Sequence, residues 1–317
     1  MLIALSAIGA PAQTCLTTND MDEATRSALV ATGKRFYDLA AHGDAASLRQ
    51  SAITSLATNF SGIEGAVKDN QANLSAAQPE QRPPFLLKAE GNEPLARAEF
   101  LCGVFGSQGQ TRDSAVFVIP NLPPGNYGIV TLEAASAQGA HTVSFVLQQQ
   151  AADWKLGGFY VRLTKVAGHD GNWFADRARE FKARGQNHNA WFYYGEAREL
   201  LVPVPFMATA TTDKLYDEMQ TVKPVDLPPA DLTAGTKTYK ITDLFPIPVG
   251  QDFDLVVRYQ SADVSDTGRT FQDNAAVMKA LVAKYPELRD AFAGIVVRAV
   301  EPSGRDYGSM QPMKDIK

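Results

Sequence analysis

Between positions 24 and 40 the apolar residues return at helical spacing: Ala24, Leu29, Val30, Phe36, Tyr37, Leu39 and Ala40. That spacing gathers them on one face and predicts a helix with a buried stripe. Asn19 and Asp20 stand where caps are needed, and Gly43 stands where the helix should stop. Asp44 can cap a short second helix through Leu48 to Ile53, and Ile63, Val67 and Leu74 mark a third helical stretch. Pro79, Pro83 and Pro84 close the helical part, because proline has no N–H to donate to the helix ladder.

From Phe85 to Val166 the period changes to that of strands. Ala98 to Phe105, Ser114 to Ile119, Tyr127 to Ala134, His141 to Gln148 and Trp154 to Thr164 are rich in β-branched and aromatic residues. Gly106 to Gly109, Asn121 to Asn126 and Gln138-Gly139 separate them with turn chemistry. Within His141 to Leu147, Val143, Phe145 and Leu147 point one way while Thr142 and Ser144 point the other, as in an antiparallel strand wet on one side. Helices followed by a strand meander with no intervening helices argue for an α+β domain rather than a doubly wound parallel sheet.

Helical spacing resumes after a turn at Gly168 to Asn172, which should cap a helix beginning near Trp173 and carrying Ala175, Ala178 and Phe181. Gly185 to Asn189 breaks it, and a second helix follows through Ala190 to Ala197. Val202-Pro203-Val204-Pro205 cannot continue that helix. Thr211 or Thr212 can cap one more short helix through Met219. Lys223 to Ala230, with Pro224, Pro228 and Pro229, reads as an extended boundary. Beyond it come strands at Lys237 to Ile247 and Phe253 to Tyr259, a helix from Phe271 to Tyr285 stopped by Pro286, a strand from Gly294 to Val300, and a hairpin into Tyr307 to Met310. A strand, helix, strand order permits a parallel crossover.

Composition narrows the classes of partner. The chain has 317 residues with 45% hydrophobic and 21% charged, which excludes a disordered or collagen-like protein. Its net charge of −5 makes nucleic acid and anionic membrane surfaces poor partners. Leu2 to Ala10 followed by Ala10-Pro11-Ala12 resembles the end of a secretory signal, which predicts an exported protein, periplasmic or secreted, after removal of residues 1–12. No later apolar run approaches the length of about eighteen residues that a membrane span requires. Cys15 and Cys102 are the two cysteines. In an exported chain they read either as one disulfide tying the N-terminal arm to the sheet or as two free thiols. No spaced His/Cys set, phosphate-binding loop, GxSxG elbow or dinucleotide fingerprint is present, so no metal or cofactor is expected. Asp263, Asp266 and Asp273 do not match calcium-loop spacing.

Two resemblances sharpen these expectations. The helix ending Phe36-Tyr37-Asp38-Leu39-Ala40-Ala41-His42-Gly43-Asp44, followed by long strands and by Asp153-Trp154-Lys155-Leu156-Gly157-Gly158-Phe159-Tyr160, resembles the nuclear transport factor 2-like, or cystatin-like, cone family. Ala190-Trp191-Phe192-Tyr193-Tyr194-Gly195-Glu196-Ala197 resembles the first helix of a tetratricopeptide repeat. They imply helices packed on a curved antiparallel sheet at 13–168 and a helical hairpin at 169–221, while the residues themselves give a Pro-rich linker at 222–236 and a small C-terminal α/β domain at 237–317. The cone family would place Tyr37, Asp38, Phe105, Tyr127, His141, Phe145, Trp154 and Tyr160 around an interior suited to a small, mostly apolar ligand. The expected function is that of a non-enzymatic binding or assembly module whose partner is an unidentified protein or such a ligand. The alternative is an isomerase, dehydratase or hydrolase using Asp38 or His141 as base, and the plainer reading of the aromatics is that they simply pack as core.

Overall fold

The computed structural model describes residues 13–104, 114–137 and 139–317. Strand β1 (Gln13–Leu16) leads into α1 (Glu23–Ala41), whose N-terminus is capped by Asp22, two residues beyond the expected Asp20. The Asp22 carboxylate accepts from the Thr25 N–H at 2.8 Å. Asp44 caps α2 (Ala45–Gln50) as the sequence predicts, and a short α3 (Thr54–Thr58) precedes α4 (Ser61–Ser75). The strands are β2 (Gln78–Gln81), β3 (Phe85–Ala89), β4 (Leu95–Cys102), β5 (Ala115–Leu122), β6 (Gly125–Ser136), β7 (Gly139–Gln150) and β8 (Asp153–Leu163). After a two-strand ribbon, β9 (Lys165–Val166) with β10 (His169–Asp170), come α5 (Gly171–Ala183) and α6 (Asn187–Leu201). A short β11 (Met207–Ala208) and α7 (Ala210–Gln220) precede β12 (Ala230–Ala234), β13 (Lys237–Val249) and β14 (Asp252–Gln260). The chain ends with α8 (Thr267–Lys284), β15 (Gly294–Val300) and β16 (Asp306–Pro312). The fold class is α+β, with antiparallel sheets predominating.

The chain divides into two compact units. One runs to Thr164 and takes in Val202–Asp213, and the other comprises Lys165–Leu201 and Lys214–Lys317. In the first unit an antiparallel sheet runs β1-β3-β6-β7-β8, with β2 also on β6. Alternation along its strands sorts side chains to two faces. Val130, Leu132, Val143, Phe145 and Leu147 pack with Leu29, Phe36, Tyr37 and Leu74 of α1 and α4. Leu87, Tyr127 and Ile129 face the opposite way, into a second core with Phe100 and Phe117 of the smaller sheet β4-β5-β11. The meander is therefore covered on both faces, by helices and by a second sheet. Cys15 on β1 is bonded to Cys102 on β4, 87 residues along the chain. Closing a loop of that length removes denatured-state entropy worth about 4 kcal/mol, and the cross-link joins the edges of the two sheets.

The second unit carries a five-stranded sheet, β12-β13-β14-β15-β16, in which β14 and β15 run parallel and the other neighbours antiparallel. The helical hairpin is not an independent element in front of this sheet. Phe174, Ala178, Phe181, Ala190, Tyr193 and Ala197 share one core with Phe253, Leu255, Val257, Leu281 and Val297. A two-helix hairpin has an apolar face that it cannot bury by itself, so sheet and hairpin complete one another. The division between compact units falls at Thr164, Leu201 and Asp213 rather than in the segment 222–236. Prolines there mark an extended run, but Asp226 within it is held by side chains of the second unit, as described below.

Candidate functional site

The residues expected to line a cone fall on different surfaces. Tyr37, Phe145 and Trp154 belong to the core between α1, α4 and the sheet. The Phe36 and Phe145 rings are 5.9 Å apart, and Phe145 lies 5.4 Å from Phe159. The Tyr37 hydroxyl donates to the Leu74 carbonyl at 2.9 Å, which satisfies its polar end inside the core. Helix and sheet approach so closely that a Cβ on Gly33 would lie 2.3 Å from Val130 Cγ1, and one on Gly128 would lie 2.3 Å from Leu29 Cδ2. Side chains fill this space.

Tyr127 and Tyr160 point to the other face. The Tyr127 hydroxyl donates to the Pro123 carbonyl at 2.7 Å, and Tyr160 packs its ring 5.8 Å from Phe206. Phe105 lies outside the described residues. Asp38 sits on the exposed side of α1, where its carboxylate pairs with Lys34 at 2.9 Å. His141 is buried at the start of β7, its Nδ1 has no hydrogen-bond partner, and burial lowers its pKa and keeps the ring neutral at neutral pH. The seven described residues of this set are thus brought together only in part: three in one core, two in another, and the two prospective bases elsewhere.

A different place gathers polar groups without filling the space between them. At the carboxyl ends of the parallel strands β14 and β15 lies a groove of about 690 Å³, bordered by Thr242, Asp243, Arg258, Gln260, Arg298 and Glu301. Strand alternation puts Leu255, Val257, Tyr259, Val297 and Ala299 into the core, which turns Arg258 and Arg298 to the opposite face. The parallel register sets these two arginines side by side. Asp306 on β16 pairs with Arg298 and neutralises it. Arg258 instead lays its guanidinium over the Phe245 ring, 5.0 Å from the centroid. Among the described residues it forms no ion pair.

Opposite Arg258 the ladder is irregular. A register shift between Ile241 and Asp243 leaves Thr242 as an extra residue, and a bulge of this kind re-aims the side chains around it. Asp243 is the register partner of Arg258. The Thr242 hydroxyl lies 2.9 Å from the Asp243 carboxylate, to which it donates, but no cation pairs with Asp243 among the described residues. The Glu301 carboxylate is engaged, accepting from the Val264 N–H at 2.8 Å and from Arg305 at 2.6 Å, and Arg305 holds its pKa below the usual carboxylate range. One cation and one anion are therefore left with spare capacity across the groove.

A third cluster is closed on itself. His188, at the start of α6, has Nδ1 3.1 Å from Glu287 Oε1 and Nε2 2.9 Å from Asp226 Oδ1. The Tyr285 hydroxyl donates to Asp226 Oδ2 at 2.5 Å, and Lys284 stands 3.6 Å from the same oxygen. With a carboxylate on each ring nitrogen, His188 has no nitrogen left for a substrate proton, so the cluster clips the segment around Asp226 in place. His188 reads in the sequence only as a turn residue. Its partners lie 38 and 99 residues away, and no local pattern announces them. Among the described residues no group of three or more His, Cys, Asp or Glu is arranged to hold a metal ion. Among the described residues no helix is long and apolar enough to cross a membrane. No protein-family model matches the chain, and no curated protein or solved structure matches it significantly.

Proposed function

We propose that the protein is an exported, non-enzymatic binding module that holds a small polar ligand in the groove at the carboxyl ends of β14 and β15. The observation that carries this reading is Arg258: a guanidinium oriented over Phe245, bordering open space and, among the described residues, in no ion pair with a carboxylate. Between α1 and the sheet of the first unit, Phe36, Phe145 and Phe159 pack as core. Export to the periplasm or outside the cell is supported by the Cys15–Cys102 disulfide, which fits an oxidising compartment. Membership of the cone family is supported by α1 packed on an antiparallel meander, and a tetratricopeptide-like origin for α5 and α6 by their mutual packing.

Native mass spectrometry of the protein isolated from an extracytoplasmic fraction tests the reading. The wild-type chain is expected to carry an additional small-molecule mass that Arg258→Gln lacks. Equal ligand occupancy in the two proteins, or none in the wild type, would contradict it.

A further inference from the structure

We propose that the groove recognises a small zwitterion of the α-amino-acid class, with the carboxylate on Arg258 and the ammonium group on Asp243. The inference rests on the groove being the ligand site and adds the chemical class. Four carboxylates and three guanidiniums stand in or around it, and most of them cancel: Arg298 with Asp306, and Arg305 with Glu301 and Asp263. What remains uncancelled among the described residues is the Arg258 and Asp243 pair, register neighbours on β13 and β14 that do not close an ion pair with each other. A guanidinium fork binds a carboxylate with two parallel N–H donors. An ammonium group is a compact donor that a single carboxylate accepts well. A ligand carrying both on one carbon meets both groups at once.

The same charges argue against other ligands. A multiply charged phosphate would gain Arg258 but would face Asp243, Asp306 and Glu301 around the rim, and like charges across an interface penalise the wrong partner. A simple amine would gain Asp243 and meet two arginines. Ala262, Val300 and Pro302 complete the lining with apolar surface, so an aliphatic side chain on the amino acid has somewhere to rest.

Isothermal titration of the full, oxidised chain with L-leucine, and with its two halves 4-methylpentanoate and 3-methylbutylamine, separates the possibilities. Leucine is expected to bind at least about tenfold more tightly than either half, the size expected when one charged hydrogen-bonding group is deleted. Arg258→Gln should weaken leucine by about tenfold or more, and Arg258→Lys, which keeps the charge and loses the fork, should fall between. Asp243→Asn should weaken leucine while leaving 4-methylpentanoate unchanged or stronger, and thermal melts of each variant check that the fold is retained. If 4-methylpentanoate or inorganic phosphate matches leucine, the zwitterion class is wrong while the groove remains a ligand site. If neither leucine nor its halves nor phosphate binds at up to about 10 mM, the class and the site both fall.

Discussion

Two glycines show how much of the first unit is decided at single residues. Gly33 lies on the buried face of α1, where an added Cβ would sit 2.3 Å from Val130 Cγ1 and 3.1 Å from its Cβ. Valine cannot swing aside, because both branches start at its Cβ. Gly65 in α4 meets nothing within 4 Å. Both positions are helical, so alanine brings each the same gain in propensity, about 1 kcal/mol. At Gly33 overpacking of about 1–3 kcal/mol opposes and exceeds that gain. Urea denaturation should therefore show Gly65→Ala stabilised by up to about 1 kcal/mol and Gly33→Ala destabilised by about 1 kcal/mol, with unchanged slopes. A stabilised Gly33→Ala would mean that α1 does not press on β6 as described. Neither requirement is visible in the sequence. A glycine inside a helical pattern announces weak propensity, and only the partner across the contact says why it is there.

Elements were legible where a period repeats and obscure where distant groups meet. The strand Gly294 to Val300 coincides with β15, and the meander strands are found within a few residues of their expected limits. Asp22 rather than Asp20 caps α1 because Asp20 is engaged in its own turn, where its carboxylate accepts from Thr17. The Pro-rich segment 222–236 shows the same limit: prolines specify an extended backbone, not whether a neighbouring side chain is clipped. Asp226 is held there by the Tyr285 hydroxyl above all, then by the His188 ring and Lys284, and these keep its pKa below the ordinary carboxylate value. A depressed carboxylate stabilises the fold above its unfolded pKa, and that contribution is lost as pH falls through the folded value. Stability should accordingly drop as the pH is lowered below about 4, the region of an unperturbed Asp. The drop should be shallower in Asp226→Asn, which already lacks the ionised partner. Urea midpoints measured from pH 6 to pH 3 check this. Parallel curves for the two proteins would show that the clip contributes nothing in its charged form.

At the scale of the whole molecule, the α+β class was legible because the change from a 3.6-residue to a two-residue period near position 85 is sharp. The grouping of elements into two units was not. It depends on which apolar faces find one another, and the faces of α5 and α6 find Phe253 on β14 and Phe292 ahead of β15, far along the chain. The expected cone lining is divided between two cores for a similar reason. Alternation shows that aromatics on the meander are buried on one side, but not that a second sheet waits on the other, so Tyr127 and Tyr160 read as lining when they are core. Arg258 carried no sequence signal, since an arginine on a half-wet strand is ordinary until its neighbours are seen to be paired with others. The central claim is that ligand binding belongs to the face of the C-terminal sheet that carries Arg258 and Arg298. Amide-resolved NMR of the isotope-labelled, oxidised chain during titration with the small molecules of its native compartment tests it most directly. Shifts confined to Thr242–Asp243, Arg258–Ala262 and Arg298–Asp306 are predicted. Shifts centred instead on Tyr37, Phe145 and Trp154 would contradict the account and restore the cone interior as the site.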